Sequence, residues 1–186
     1  MRSDTFRNHG FTLIELMVTI AILAIIASLA APAVGVFVSR SVMRGISADF
    51  TLAMQRARSE AINRNMCVTM CMSDDGLTCT STGQNWGIGW IAYHNPTCIA
   101  ATTSSPSDVS NIFLVRNGVN ERYQLNSPTN MRYVTFGSRG NTSSSSNDRL
   151  NLIDTAAPSS ESNIDRTFCL DKAGRIRTLE YASSCS

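Results

Sequence analysis

The chain has 186 residues, 43% of them hydrophobic and 16% charged, with 16 Lys and Arg against 14 Asp and Glu. Once its long amino-terminal apolar run is set aside, about 120 residues remain, enough for one small core and no more. From Met66 onward nine basic side chains face ten acidic ones, so there is no whole-domain positive field, and any nucleic-acid contact must come from a local cluster.

Residues 1–10 are polar and basic, with Arg2, Arg7 and His9 before Gly10. From Phe11 to Val38 the only charge is Glu15. As a helix this run of about 28 residues measures ~42 Å, enough to cross a ~30 Å hydrocarbon core. Arg40 and Arg44 follow it, and the serine-rich, cysteine-bearing remainder belongs on the oxidising side. The expected topology is a single-pass segment at 11–38 with its amino terminus in the cytoplasm and residues 66–186 in the periplasm. A secretory signal peptide would carry its apolar core ahead of the cleavage site, the reverse of the order here. An ordinary single-pass anchor is the alternative. A carboxylate inside a span costs on the order of 2.5–3.5 kcal/mol, so Glu15 needs a partner.

The stretch Gly10-Phe11-Thr12-Leu13-Ile14-Glu15 resembles the class III leader of type IV prepilins and pseudopilins. The resemblance implies that a prepilin peptidase cuts after Gly10 and that the freed Phe11 is N-methylated. It implies an assembly role for Glu15, paired with the amino group of Phe11 on a neighbouring subunit. Major and minor pilins are the implied partners, with an inner-membrane stage before incorporation into a surface pilus.

The helix is expected to continue through residues 39–65. Pro32 and Gly35 loosen or kink it, because proline removes a backbone donor and clashes with the preceding turn. Beyond them Ile46, Phe50, Ala53, Met54, Ala57, Ala61 and Ile62 recur at helical spacing, one apolar face on which a domain can pack. Asn63–Asn65 end it.

From Met66 the period becomes two, with Val68, Met70 and Met72 on one side of a strand and Cys67, Thr69 and Cys71 on the other. Strand signals continue at 85–93, 111–116, 121–126, 131–136, 149–153, 166–170 and 175–181. Trp86, Ile88 and Trp90 share one face of their strand and read as aromatic core, while Gly87 and Gly89 signal close backbone approach or a bulge. The stretches Ala100–Ser110, Gly137–Ser146 and Ala156–Asn163 lack packing residues and are expected as mobile surface loops. The fold class is therefore α+β, one long amino-terminal helix packed on a disulfide-bonded antiparallel β domain.

Six cysteines in a small extracytoplasmic domain read as a disulfide framework, although six allow 15 pairings. Cys71 and Cys79 flank the turn-forming Ser73-Asp74-Asp75-Gly76, and Cys169 and Cys185 flank the last hairpin, which leaves Cys67 with Cys98. A metal site from Cys67, Cys71, Cys79, Cys98 and His94 is the alternative, against which stands the lack of a Cys-x-x-Cys knuckle. Nothing implies a cofactor. With His9 and His94 the only histidines, no nucleophile beside a base and no phosphate loop, enzymatic chemistry finds no support.

The order of cysteine strand, Asp-Asp-Gly turn, Trp-x-x-Gly-Trp, Phe-Gly-Ser-Arg-Gly and a final hairpin with Gly-Arg-x-Arg looks like the FimT/GspH group of minor pilins and pseudopilins. Gly174-Arg175-Ile176-Arg177 is similar to the motif of FimT-type minor pilins, which in naturally transformable bacteria bind extracellular DNA. The residues support a phosphate grip independently. Asp171-Lys172-Ala173-Gly174 has turn composition, so Arg175 and Arg177 are expected to begin the returning strand on one face, ~6.7 Å apart, close to the ~6.8 Å rise of two steps along a DNA strand. Guanidinium forks suit phosphate oxygens, and Lys172 adds charge. Strict alternation also puts Leu179 on that face, which fits poorly. The bland alternative is a solvated arginine pair balanced by Asp171 and Glu180. Double-stranded DNA is the partner under the first reading. A structural minor pilin that primes pilus assembly and a GspH-like pseudopilin of type II secretion are the alternatives.

Gly10 yields a direct test. Replacing it with a bulky residue is expected to leave the leader uncut and the chain in the inner membrane, read as mass on purified protein. Normal mature mass would remove the class III assignment.

Overall fold

The computed structural model of the chain describes residues 11–98, 106–142, 148–156, 164–181 and 183–185, the side chains of residues 29–33 excepted. The leader through Gly10 and, of the expected surface loops, residues 100–105, 143–146 and 157–163 lie outside the described residues. Two compact units divide the chain, Met1–Ser39 and Arg40–Ser186.

Helix α1 is 52 residues long, Leu13–Arg64, and runs uninterrupted through Pro32 and Gly35. Its carboxyl end closes by a Schellman arrangement. Asn65 takes a left-handed φ of 51°, and the Met66 and Asn65 N–H groups return to the carbonyls of Ala61 and Ile62, each at 3.2 Å. Asparagine tolerates this conformation better than most residues, which is why the chain turns there.

Among the described residues eight strands follow: β1 Val68–Met72, β2 Gly89–His94, β3 Ile112–Asn117, β4 Tyr123–Asn126, β5 Tyr133–Phe136, β6 Arg149–Asp154, β7 Arg166–Leu170 and β8 Ile176–Glu180. They form two antiparallel sheets, ordered β3-β2-β1-β5 and β4-β6-β7-β8. Disulfides join Cys67 to Cys98, Cys71 to Cys79 and Cys169 to Cys185.

One core serves the helix and both sheets. From α1 it takes Met43, Ile46, Phe50, Ala53, Met54, Ala57 and Ala61, and from the sheets Val68, Met70, Met72, Trp90, Phe136, Leu125, Leu152 and Phe168, among others. Phe50 is fully buried. Its ring meets Trp86, Trp90 and Phe168 edge-on, with centroids 5.6, 5.3 and 5.3 Å away. Ile62, expected on this stripe, is instead 44% exposed. It lies at the margin, against Gly140.

Burial at β1 goes beyond what alternation alone implies, and one other expectation needs correction. Strand β1 is buried on both faces, because Cys71, Ile91 and Tyr93 form a second cluster with Ile112, Tyr133 and Cys79, the last tied down by its disulfide. Trp86, Ile88 and Trp90 do not share a strand face, since Trp86–Ile88 is a 3-10 turn that precedes β2. The Asn85 side chain imposes it by accepting the N–H groups of Gly87 at 2.8 Å and Leu125 at 2.9 Å. Gly89 then has φ 124°, and a Cβ there would sit 2.7 Å from the carbonyl oxygens of both Arg116 and Ser73. That is the close backbone approach its position suggests.

Phe50→Ala is expected to cost about 3–5 kcal/mol, read from chemical denaturation of the oxidised protein, because three aromatic partners lose their common contact. Ile62→Ala should cost under about 1 kcal/mol. Equal losses would mean that Phe50 is not the centre of the core.

Candidate functional site

The turn between β7 and β8 is closed by its own backbone. The Gly174 N–H donates to the Asp171 carbonyl at 2.9 Å, and the Asp171 N–H to the Arg175 carbonyl at 3.1 Å. Gly174 is buried with φ 73°. A Cβ there would collide with the Gly140 carbonyl oxygen and crowd the Arg58 guanidinium, so only glycine fits.

Arg175 lies in the turn, not in β8, which begins at Ile176. The strand thus begins one residue later than expected, with Arg175 just ahead of it and Arg177 within it. Asp171 is the physical reason. Its carboxylate accepts the Arg175 backbone N–H at 2.9 Å and the Arg175 Nε at 2.8 Å, keeping that residue on the turn. Burial pushes the Asp171 carboxyl up, but these hydrogen bonds and the guanidinium charge outweigh it and hold the group below the usual carboxylate range. The Arg175 side chain remains 71% exposed despite the ion pair. Arg177 stands opposite Cys169 in the β7–β8 register and is exposed, whereas Leu179 is half-buried, so the edge strand does not alternate strictly.

A second loop is stitched to this turn. The Thr142 N–H donates to the Lys172 carbonyl at 3.0 Å and the Thr142 hydroxyl to that of Asp171 at 3.3 Å. Gly140, at φ 75°, presents its carbonyl to Arg58 Nε of α1 at 3.0 Å. A groove of about 400 Å³ results, lined by Gln55, Arg58, Ser59, Gly174, Arg175 and Ile176. Lys172 and Arg139 are exposed on the two loops. Of the expected residues Gly174 and Arg175 thus line the groove beside Arg58, while Lys172 and Arg177 are not among its lining residues. Sequence reasoning passed over Arg58 as one charge on the polar side of a helix. Its only available signal was its place one turn from Ala61 and Ile62, flanking the buried stripe.

At the other end of α1, Thr12 and Glu15 form a capping box. The Thr12 N–H and hydroxyl both donate to Glu15 Oε2 at 2.9 Å, and the Glu15 N–H to the Thr12 hydroxyl at 3.3 Å. Within one chain, then, the helix's own start satisfies this carboxylate. Phe11 is 86% exposed, as are most apolar side chains after it. Among the described residues no helix is long and apolar enough to cross a membrane, and the side chains at 29–33, within the expected span, fall outside that description.

The metal alternative does not stand. All six cysteine sulfurs are in disulfides, and His94 Nε2 lies 3.1 Å from Glu60 Oε1 while its ring packs on Phe113. Among the described residues no group of three His, Cys, Asp or Glu could hold an ion.

Residues 47–174 match the family described as type II transport protein GspH, and residues 5–31 match the prokaryotic N-terminal methylation motif. That motif implies processing by a prepilin peptidase, membrane anchoring and association with other pilins. Two crystal structures of the type IV minor pilin FimU from Pseudomonas aeruginosa PAO1 are similar in fold. In space group P21 the TM-score is 0.57 at 15% identity, covering 81% of this chain and 99% of that one. In P65 the values are 0.54, 15%, 77% and 99%. No curated protein sequence matches. With the GspH match spanning well over half of its length, the chain belongs to the GspH family of type IV minor pilins and pseudopilins, which are structural proteins and not enzymes.

Proposed function

We propose that this chain is a minor type IV pilin that takes up DNA by its phosphate backbone, using Lys172, Arg175 and Arg177 with Gly174 as the turn residue that seats them. The observation that carries the reading is the groove in which Arg58 of α1 and Arg175 of the last hairpin converge. Arginine forks held beside a closely packed backbone suit phosphate oxygens, and phosphate contacts position a protein without reading bases. Asp171 competes for Arg175. An exposed pair of this kind is worth only about 0–1 kcal/mol, so a phosphate can displace it. The chain would be anchored by residues 11–38 as a single-pass segment before entering a surface pilus, in an organism capable of natural transformation.

A second reading has its own support. The matched family is described as a type II transport protein, and the Arg175–Asp171 pair can be an ordinary solvated one. The protein is then a GspH-like pseudopilin or a minor pilin that primes assembly, and the arginines have no DNA role. In either case Glu15 would exchange its contact with Thr12 for the amino group of Phe11 on a neighbour. Glu15→Leu should insert as well as wild type and incorporate poorly into filaments, measured by immunoblot of sheared filaments against membranes. Equal incorporation would leave Glu15 a helix cap only.

The DNA reading turns on Arg175→Gln/Arg177→Gln. Binding to duplexes of any sequence should weaken uniformly, and the slope of log affinity against log salt should fall by roughly 1.8, about 0.9 per lost phosphate contact. Thermal stability should change little, because exposed arginines contribute at most about 1 kcal/mol. DNA uptake should be lost while pili still assemble. Unaltered binding in the double variant, or no binding by wild type, would decide for the structural reading.

A further inference from the structure

The sheet β4-β6-β7-β8 turns one face to the core and one away from it. Leu125, Leu150, Leu152 and Phe168 are on the first. On the second, alternate residues meet through polar side chains: the Thr167 hydroxyl donates to Asn151 Oδ1 at 3.2 Å, and Asn126 Nδ2 donates to Gln124 Oε1 at 2.9 Å. Directly opposite residues of an antiparallel pair share a face, and one row of this outer face is Arg149 on β6, Cys169 on β7 and Arg177 on β8. Arg149 and Arg177 therefore flank the Cys169–Cys185 disulfide, with Cα atoms two strand spacings, or ~9.6 Å, apart. Arg177 is exposed and Arg149 is half-buried. Arg64, Arg116, Arg122 and Arg175 are each paired with a carboxylate, whereas Arg149 has no ion-pair partner among the described residues.

We propose that Arg149 is a further phosphate contact of the DNA site, holding a duplex across the outer face of this sheet while Arg175 and Arg177 hold it along β8. The inference rests on the DNA reading of the last hairpin. A guanidinium partly withdrawn from water and left without a counter-charge attracts an anion more strongly than one in open solvent. The disulfide that stands between the two arginines of the row is uncharged. Amide side chains such as Asn126 and Asn151, on the same face, are of the kind that contacts phosphate and sugar beside arginine. Arg149 is also off the line of Arg175 and Arg177. Three contacts that are not collinear fix the orientation of a duplex, which two along one strand leave free to swivel.

Titration of the full mature chain in detergent with a short labelled duplex, followed by fluorescence anisotropy from about 50 to 200 mM salt, tests this. Arg149→Gln should lower the slope of log affinity against log salt by about 0.9, so its deficit against wild type grows roughly three-fold from the high to the low end of that range. Arg149→Lys, which keeps the charge, should retain the slope. Arg44→Gln, an equal loss of charge ~21 Å along α1 from Arg58, should retain it too. On wild type, bound duplex should protect Arg149 from phenylglyoxal, read by peptide mass spectrometry, and this result decides where Arg149→Gln fails to fold. An unchanged slope in a folded Arg149→Gln, an equal fall in Arg44→Gln, or equal modification of Arg149 with and without duplex would overturn the proposal. The two readings fail differently. Wild type that binds no DNA would remove the hairpin site and Arg149 together, whereas binding that Arg175→Gln/Arg177→Gln weakens and Arg149→Gln leaves untouched would remove Arg149 alone.

Discussion

The Arg40–Ser186 unit depends on one contact, the burial of Phe50 among Trp86, Trp90 and Phe168. Among the described residues no strand of one sheet pairs with a strand of the other. What unites them is a common apolar surface, the stripe of α1. Phe50 supplies its widest side chain at the point where β2, the 3-10 turn before it and β7 all converge. Each edge-on aromatic pair adds about 0.5–1.5 kcal/mol to the area buried, and directional packing of this kind sets one orientation of helix against sheets. The small residues Ala53, Ala57 and Ala61 then let the sheets approach the helix closely.

The basic groove at the last hairpin is a consequence of that packing. Ala57 and Ala61 seat α1 on the sheets, and Arg58 is thereby delivered to the Gly140 carbonyl. Gly174 closes the same point from the other side. Two chain segments more than thirty residues apart, together with the helix, meet within one hydrogen bond of each other, and both glycines are at positive φ. A site built this way combines exposed charge with a rigid backbone, because its cations stand on segments whose own polar groups are satisfied.

The family and the site are different kinds of conclusion. GspH membership follows from a match over most of the folded unit, and the FimU likeness at 15% identity speaks for the fold. Neither concerns what the outer surface touches. Side chains such as Arg175 and Arg44 lie where substitution leaves the core intact, so one scaffold can serve a pilus or a secretion machine by surface change alone.

Local signals were enough to determine much of this protein. The break at Asn65 was legible, as were the helical spacing from Ile46 to Ala61 and seven strands to within about two residues, because helix and strand periods and turn residues act over a few neighbours. The Thr12-x-x-Glu15 capping box is equally local, a Thr and a Glu three residues apart at the helix start. Only the tertiary structure decided the rest. Asn85 bends Trp86 into a 3-10 turn by reaching the β4 backbone at Leu125. Cys79 covers the outer face of β1, and Arg58 finds Gly140 across 82 positions of sequence. Arg175 stays on its turn because Asp171 reaches it through a fold in the chain that alternation does not encode. In each case the partner is distant in sequence or is chosen by a side-chain hydrogen bond, and periodicity records which face of an element is buried, not what buries it.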